Sequence, residues 1–426
     1  MLTTIGAMLR GAGQVVMPLV HGRHTVVLQP YRGYGSTRAV FLMGRVFRQP
    51  GPAEPPSQGE IGTLTRLFLR GGIGEAVLKA RLGETEQRVV TDHQGYFRIR
   101  MDLPELPPSD GLWRDMEIEL VRPVKARVRG EFFVPPQTAR FVVISDIDDT
   151  VMETDVANPV AMLQRLFLQA AEKRVAFPGV ASFYRSLHLG FSGRERNPML
   201  YVSRAPWGIY EMLDRFFRLH GIPVGPILFL RDWGMSWRRP LPRQDRDYKL
   251  HLIRDMLSLY GDLPFILIGD SGQQDPEVYA QIVEENPGRV VAVYIRNVTK
   301  APRRHAAIEE LAKKVVSAGS SLVLAADSFI MAEHAAKRDL ISSEALFEVL
   351  QERTEQQGTA DLKPTTEVVR GSREETTQAV EGGELRTAIE METGSESPPN
   401  VVVRPECEDA ADRVKDATSK QSGQNP

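Results

Sequence analysis

The sequence predicts two folded units of different class: an all-β sandwich, then an α/β unit built on a parallel sheet. Three observations predict them. Short alternating apolar runs, separated by Gly, Pro and Asp clusters, recur between residues 25 and 138. From residue 139 to 349, buried-strand runs alternate with helical patterns, the rhythm of a parallel sheet covered on both faces. The chain of 426 residues is also longer than one core usually accommodates.

Taken in order, residues 1–24 begin "MLTTIGAMLRGAGQVVMPLV", an apolar stretch whose only basic residue, Arg10, lies mid-run. No small-residue cleavage site follows, so a short helix is expected rather than a signal peptide. The sandwich runs are "HTVVLQPYRGYG", "RAVFLMGRVF", "EAVLKARL", "YFRIRMDL", "MEIELV" and "KARVRGEFFVP". In "MEIEL", Met116, Ile118 and Leu120 share one face and Glu117 and Glu119 take the other. "TDHQGYFRI" reads as a turn closing on Gly95, and "GPAEPPSQGEIG" at 51–62 as a loop. Strands of this number and spacing suit a sandwich with a weak likeness to transthyretin-like or fibronectin-like modules. The second unit offers strands at "FVVISD", "PMLYVSR", "GPILFL", "PFILIGD", "RVVAVYIRNV" and "SSLVLAADS". Helices are expected at "GIYEMLDRFFRLHG", "KLHLIRDMLSLYG" and "APRRHAAIEELAKKVVSAG". Residues 350–426 are polar, with few aromatics, and read as a disordered acidic tail. From Gln351 to Pro426, 16 acids face 9 lysines and arginines, leaving −7 there and +5 on the rest of a chain whose net charge is −2.

Composition excludes several classes of function. With one cysteine, Cys407, the chain has neither an intrachain disulfide nor a cysteine-based zinc site. No run of 18 apolar residues marks a membrane span. The near-neutral net charge gives no global pull toward nucleic acid, so none is expected as a partner. "RGGIG" at 70–74 lacks the "GK[ST]" of a phosphate loop, and the eight histidines show no ligand spacing.

Chemistry gathers where the strands of the second unit end, the edge at which sites form in such sheets. "FVVISDIDDT" delivers Asp146, Asp148 and Asp149, followed by Thr150. "PMLYVSRAPW" ends in Ser203 and Arg204; Lys249 stands near the start of the next helix; "PFILIGDSGQQDPE" supplies Asp270 and Asp275. Singly, each acid suits a turn or cap, Ser203 a cap and Lys249 a solvated surface. Together, in this order, they resemble the haloacid-dehalogenase superfamily of phosphatases over about residues 140–330. "DIDDT", "YVSRAPW" and "GDSGQQDPEVY" resemble more closely the phosphatidate phosphatases of the fungal actin-patch type and their bacterial relatives, with lipin phosphatase domains more distant.

That resemblance implies a Rossmann-like, HAD-type α/β sheet and a set of roles. Asp146 attacks phosphorus and touches the metal, passing through an aspartyl-phosphate. Asp148 protonates the leaving oxygen, activates water and supplies a metal contact. Asp270 completes an oxygen shell suited to Mg2+, and Asp275 supports that shell or binds the metal through water. Ser203 and Arg204 bind the phosphoryl group, Thr150 donates to it or fixes the loop, and Lys249 offsets charge on it and on the nucleophile. Asp149 is expected to stabilise the loop. A phosphate monoester is dianionic and repels an incoming carboxylate, so a divalent cation suits this chemistry.

Between the first two motifs, residues 159–173 offer one amphipathic helix, with Val160, Leu163, Leu166, Phe167 and Ala170 on one face. It reads either as a helix packed on the core or as a lid facing an acyl chain. The segment is too short for a full cap domain, so an open site is expected. In "LRDWGMSWRRPLPRQDRDYK", Arg231, Arg238, Arg239, Arg243 and Arg246 interleave with Trp233 and Trp237. This is a solvated loop or a rim suited to an acidic lipid surface; single-stranded nucleic acid is the weaker alternative. The sequence thus predicts a cytoplasmic, Mg2+-dependent phosphatase acting on a lipid phosphate such as phosphatidate, with peripheral membrane contact. The alternatives are a soluble phosphatase on a polynucleotide, protein or small-molecule phosphate, and a lipid-binding module without catalysis.

Overall fold

The computed structural model describes residues 15–18, 24–50, 71–104, 106, 112–147, 150–151, 177–204, 207–229, 245–261, 263–299, 301–357 and 401–403. It contains a mainly antiparallel sheet followed by a parallel sheet flanked by helices.

The first sheet comprises β1 (Val15–Pro18), β2 (His24–Pro30), β3 (Gly33–Gly35), β4 (Ala39–Pro50), β5 (Gly71–Gly72), β6 (Val77–Leu82), β7 (Thr85–Val90), β8 (Tyr96–Asp102), β9 (Trp113–Arg122) and β10 (Ala126–Phe133). Alternation governs it: Met116, Ile118 and Leu120 of β9 are buried, while Glu117 is exposed and Glu119 partly so. The inward residues form one core with Val40, Leu42, Leu78, Phe97 and Ile99. β4, at 12 residues, bonds β2 and β3 along one side and β8 and β5 along the other. That long strand draws the expected two-sheet sandwich into one hydrogen-bonded network. The turn before β8 closes as expected, with Gly95 N donating to the Asp92 carbonyl at 2.9 Å and Gly95 at φ 84°. A Cβ there would lie 2.1 Å from the Val46 carbonyl, so only glycine fits. β7 was not legible beforehand because "TEQRVV" has no fully buried face.

The N-terminal helix is corrected at its end. Val15–Pro18 pairs antiparallel with Thr25–Leu28, and the β-branched type of Val15 and Val16 favours a strand over a helix. Residues 1–14, the 51–62 loop, the 159–173 helix and the Trp/Arg stretch at 230–244 lie outside the described residues.

The second sheet holds β11 (Val142–Asp146), β12 (Met199–Ser203), β13 (Ile227–Phe229), β14 (Phe265–Asp270), β15 (Val290–Arg296), β16 (Leu322–Ala325) and β17 (Val401–Val403). Its order is β13-β12-β11-β14-β15-β16-β17, parallel except for β17. Successive residues of each strand enter opposite layers. Val143, Tyr201, Ile266 and Tyr294 pack with α1 (Val180–Leu189), α2 (Tyr210–Leu219), α6 (Ser328–Lys337) and α7 (Ser343–Gln357). Val142, Leu200, Leu267 and Val293 pack with α3 (Asp245–Leu259), α4 (Asp275–Glu285) and α5 (Pro302–Ser317). Chain order reverses direction between β11 and β14, the position at which an open α/β sheet leaves a crevice at its carboxyl edge. Among the described residues no helix is long and apolar enough to cross a membrane.

The boundary of the tail is also corrected. α7 runs past residue 350 to Gln357, and Val401–Val403 pairs antiparallel with β16. Composition misled here because Glu, Gln and Arg are good helix formers, and their partners are polar. Glu352 accepts from Ser182 Oγ at 2.5 Å and pairs with Arg185 at 2.7 Å. Arg353 pairs with Asp327 at 2.8 Å, and Gln356 accepts from Gly179 N at 3.0 Å. At about 1–2 kcal/mol net for such a set, a chain ending at Leu350 should melt about 3–6 °C below one ending at Gln357 in a calorimetric scan. Equal melting temperatures would place the end of the folded body before residue 351.

Candidate functional site

Four parallel strands present a polar residue at the same edge. Ser203 ends β12, Asp146 ends β11, Asp270 ends β14 and Arg296 ends β15, and all four are buried. The strands deliver them because each is a mostly apolar run, buried along its length, that ends on a polar or charged side chain. Pairing fixes their spacing: Asp146 stands opposite Val202, and Asp270 opposite Arg296.

Two further side chains close the group. α4 begins at Asp275, whose Oδ2 accepts from Asp270 N at 3.3 Å. Lys249, in the second turn of α3, donates to Asp146 Oδ1 at 2.8 Å and to Asp275 Oδ1 at 2.6 Å. Its ammonium also lies 5.4 Å from the Tyr279 ring centroid. Burial alone would push the Lys249 pKa down; Asp146 and then Asp275 outweigh it and hold the ammonium well above 10.5. A lysine raised in this way stabilises the fold fully below its ordinary value and loses that contribution only as pH rises through the folded value. The bridge therefore remains intact across neutral pH.

Asp146, Asp270 and Asp275 each offer a carboxylate oxygen within 4.8 Å of the others, and all three are buried. The quartet thus sets three carboxyl groups against one ammonium, all of them buried. Hard oxygen donors at this separation match a divalent cation. Asp270 is oriented by the backbone: its Oδ1 accepts from Gly272 N at 2.7 Å and Gln273 N at 3.0 Å. Gly269 makes room for Asp275, since a Cβ there would meet Asp275 Oδ2 at 2.1 Å.

The other expected residues are placed by the ladder and the following loop. Ser203 is buried one position beyond the residue opposite Asp146, and Arg204 next to it is half-buried. Thr150 is buried after β11, and its carbonyl accepts from Arg296 Nε at 3.0 Å. Asp148 and Asp149 lie outside the described residues. Two arginines were missed by sequence reasoning. Arg296 also donates to Ser328 Oγ at 2.9 Å and stacks over Phe177 at 4.1 Å, tying the loop after β11 to two other elements. Arg304 donates to the Ser271 carbonyl at 2.7 Å and to the Gln273 carbonyl, and pairs with Glu277. It thereby holds the Asp270–Asp275 turn. The available signal for Arg296 was that a further parallel strand ends in a charged residue.

Residues 141–297 match the family described as "Phosphatidate phosphatase APP1, catalytic domain". Phosphatidate phosphatase APP1 of Saccharomyces cerevisiae is 27% identical over 208 residues, 48% of this chain and 34% of that protein. An uncharacterized protein of Schizosaccharomyces pombe is 29% identical over 219 residues, 50% of this chain and 35% of that protein. The chain thus spans about a third of the length of these relatives. Among solved structures, a carbohydrate acetylesterase from Xanthomonas citri aligns over 66% of this chain and 71% of that chain, at 10% identity and a TM-score of 0.22. That superposition is too loose to carry an argument. The similarity of residues 141–297 is to a hydrolase catalytic domain, and the matched segment contains the whole quartet of Asp146, Lys249, Asp270 and Asp275.

Gly269→Ala tests the packing of the quartet. The added methyl must displace the Asp275 carboxylate or the end of β14, at about 1–3 kcal/mol. Thermal melting of the variant should fall clearly below wild type; an unchanged melt would mean that Asp275 does not pack on Gly269.

Proposed function

We propose that residues 141–297 form a Mg2+-dependent phosphatase of the HAD type that hydrolyses a phosphate monoester on a lipid, phosphatidate or a close relative. The observation that carries this reading is the buried quartet: three carboxylates within 4.8 Å, bridged by Lys249, at the carboxyl edge of adjacent parallel strands. Similarity to the phosphatidate phosphatase APP1 catalytic domain makes the segment a phosphatidate phosphatase-like hydrolase domain. It also narrows the substrate class.

Asp146, Asp270 and Asp275 would hold the cation, which supplies charge neutralisation for a dianionic ester. The protein's own groups do the rest. Lys249 fixes one oxygen of Asp146, so the carboxylate is oriented before substrate arrives. Asp146 attacks phosphorus, forming an acyl phosphate as the P–O bond to the alcohol breaks. Asp148 gives its proton to the departing oxygen, then takes one from the water that cleaves the acyl phosphate. Ser203 and Thr150 donate to phosphoryl oxygens, with Arg204 beside them adding positive charge. The lipid assignment draws further support from the arginines and tryptophans between 231 and 246, just before Lys249 in sequence.

Asp146→Asn removes the nucleophilic charge without changing shape. Turnover of a chromogenic phosphate ester with Mg2+ should fall at least about a thousandfold, about 4 kcal/mol of barrier, and EDTA should abolish wild-type turnover. A variant keeping a tenth of the activity would sink the nucleophile assignment.

For the substrate, wild type should turn over phosphatidate in mixed micelles faster than the same headgroup free in water. Replacing Arg238, Arg239 and Trp237 by Ala should weaken binding to phosphatidate vesicles at low salt while sparing the chromogenic ester. Equal losses on both substrates would assign the loop to the catalytic fold instead.

A further inference from the structure

The stretch "YRGYG" at 31–35, between β2 and β4, reaches out of the β unit into the α/β unit. Tyr31 is buried and belongs to the same core as α1 and α2. Its ring stacks on Trp207, with centroids 4.9 Å apart and planes 15° apart, and packs on Tyr210 at 4.4 Å. Trp207 in turn rests on Phe229, at the end of β13, at 4.3 Å. The next residue, Arg32, donates its backbone N–H to Tyr210 Oη at 2.8 Å, and its guanidinium pairs with Asp214. Both ends of that ion pair are buried, their side chains 6% and 10% exposed. Tyr34 packs against the opposite layer of the parallel sheet.

We infer that the β unit braces the strand end that carries Ser203, with Tyr31 and Arg32 as positioning residues for phosphate binding. The inference rests on the phosphatase reading above. Trp207, Tyr210 and Asp214 are spaced three and four residues apart, so two consecutive residues of the β unit grip the short 3-10 turn at Trp207–Ile209 and one side of α2. Trp207 lies four residues beyond Ser203, so the leash between them spans at most about 14 Å even fully extended. Phe229 is also the ladder partner of Ser203, so a ring held between Tyr31 and Phe229 bears on the strand pair that holds Ser203. Arg32 itself is no phosphate ligand. Its charge is taken up by Asp214 and by Glu131 of its own unit at 3.5 Å, and it lies over Trp113. Thus the β unit acts on substrate only through the strand end it holds.

The test uses the full chain, a chromogenic phosphate ester with Mg2+, and orthophosphate as competitive inhibitor. Tyr31→Ala removes the stacked plane and should raise KM about tenfold, weaken orthophosphate inhibition by the same factor and leave kcat within about threefold. Tyr31→Phe keeps the plane and should match wild type on all three. If the alanine variant does not fold, Tyr31→Leu preserves apolar volume without the plane and should show the same split. Wild-type KM and inhibition in Tyr31→Ala or Tyr31→Leu would overturn the inference. So would a lower melting temperature with kcat reduced and KM unchanged, which marks general destabilisation. If wild type turns over no ester, the phosphatase reading fails and takes this inference with it; turnover with an unmoved KM sinks the inference alone.

Discussion

One buried ammonium, shared between two carboxylates, is the constraint around which the α/β unit is organised. Lys249 Nζ reaches Asp146 from one strand end and Asp275 from the first residue of a helix. Three carboxylates packed this closely repel one another strongly in a low-dielectric interior. The lysine offsets part of that repulsion, and a bound cation would offset more. Removing one partner of such a buried pair is strongly destabilising, typically about 3–5 kcal/mol. The cluster thus carries a structural burden, and the surrounding fold shows how that burden is met.

The strand order places β11 beside β14, so Asp146 and Asp270 emerge next to each other at the switch point. Backbone amides hold Asp270, and Arg304 ties down the turn that follows it. Arg296 does the same for the loop after β11 through the Thr150 carbonyl. The quartet is in this way held from both sides by groups whose own positions are fixed by packing, the preorganisation that the proposed reaction would need. The β unit extends this principle to the Ser203 edge.

Much of this was legible in the sequence, for a specific reason. A parallel strand buried on both faces is a mostly apolar run, so the polar or charged residue that ends it stands out: Asp146, Ser203 and Asp270 were visible on that basis. Lys249 and Asp275 are ordinary helix residues in isolation and were legible only through their order relative to the strands. Arg296 was hidden because an arginine ending a strand looks like a solvated terminus; only the packing shows it buried. Tyr31 and Arg32 were hidden by distance: Tyr31 stacks on Trp207 far along the chain, and the partners of Arg32 in the α/β unit, Tyr210 and Asp214, lie 178 and 182 residues away. The errors at the two ends, a strand at Val15–Pro18 and a helix to Gln357, have one origin: pairing and polar contacts supplied by other parts of the chain overrode local composition.

The central claim is that Asp146 is the group that receives the phosphoryl. The direct measurement is to quench the enzyme during turnover of a phosphate ester, treat it with borohydride and map the peptides by mass. An acyl phosphate is reduced to an alcohol, so the account predicts homoserine at position 146 in a turnover-dependent fraction of the protein. It also predicts none in Asp146→Asn. Steady turnover with residue 146 unmodified and another side chain reduced would contradict it.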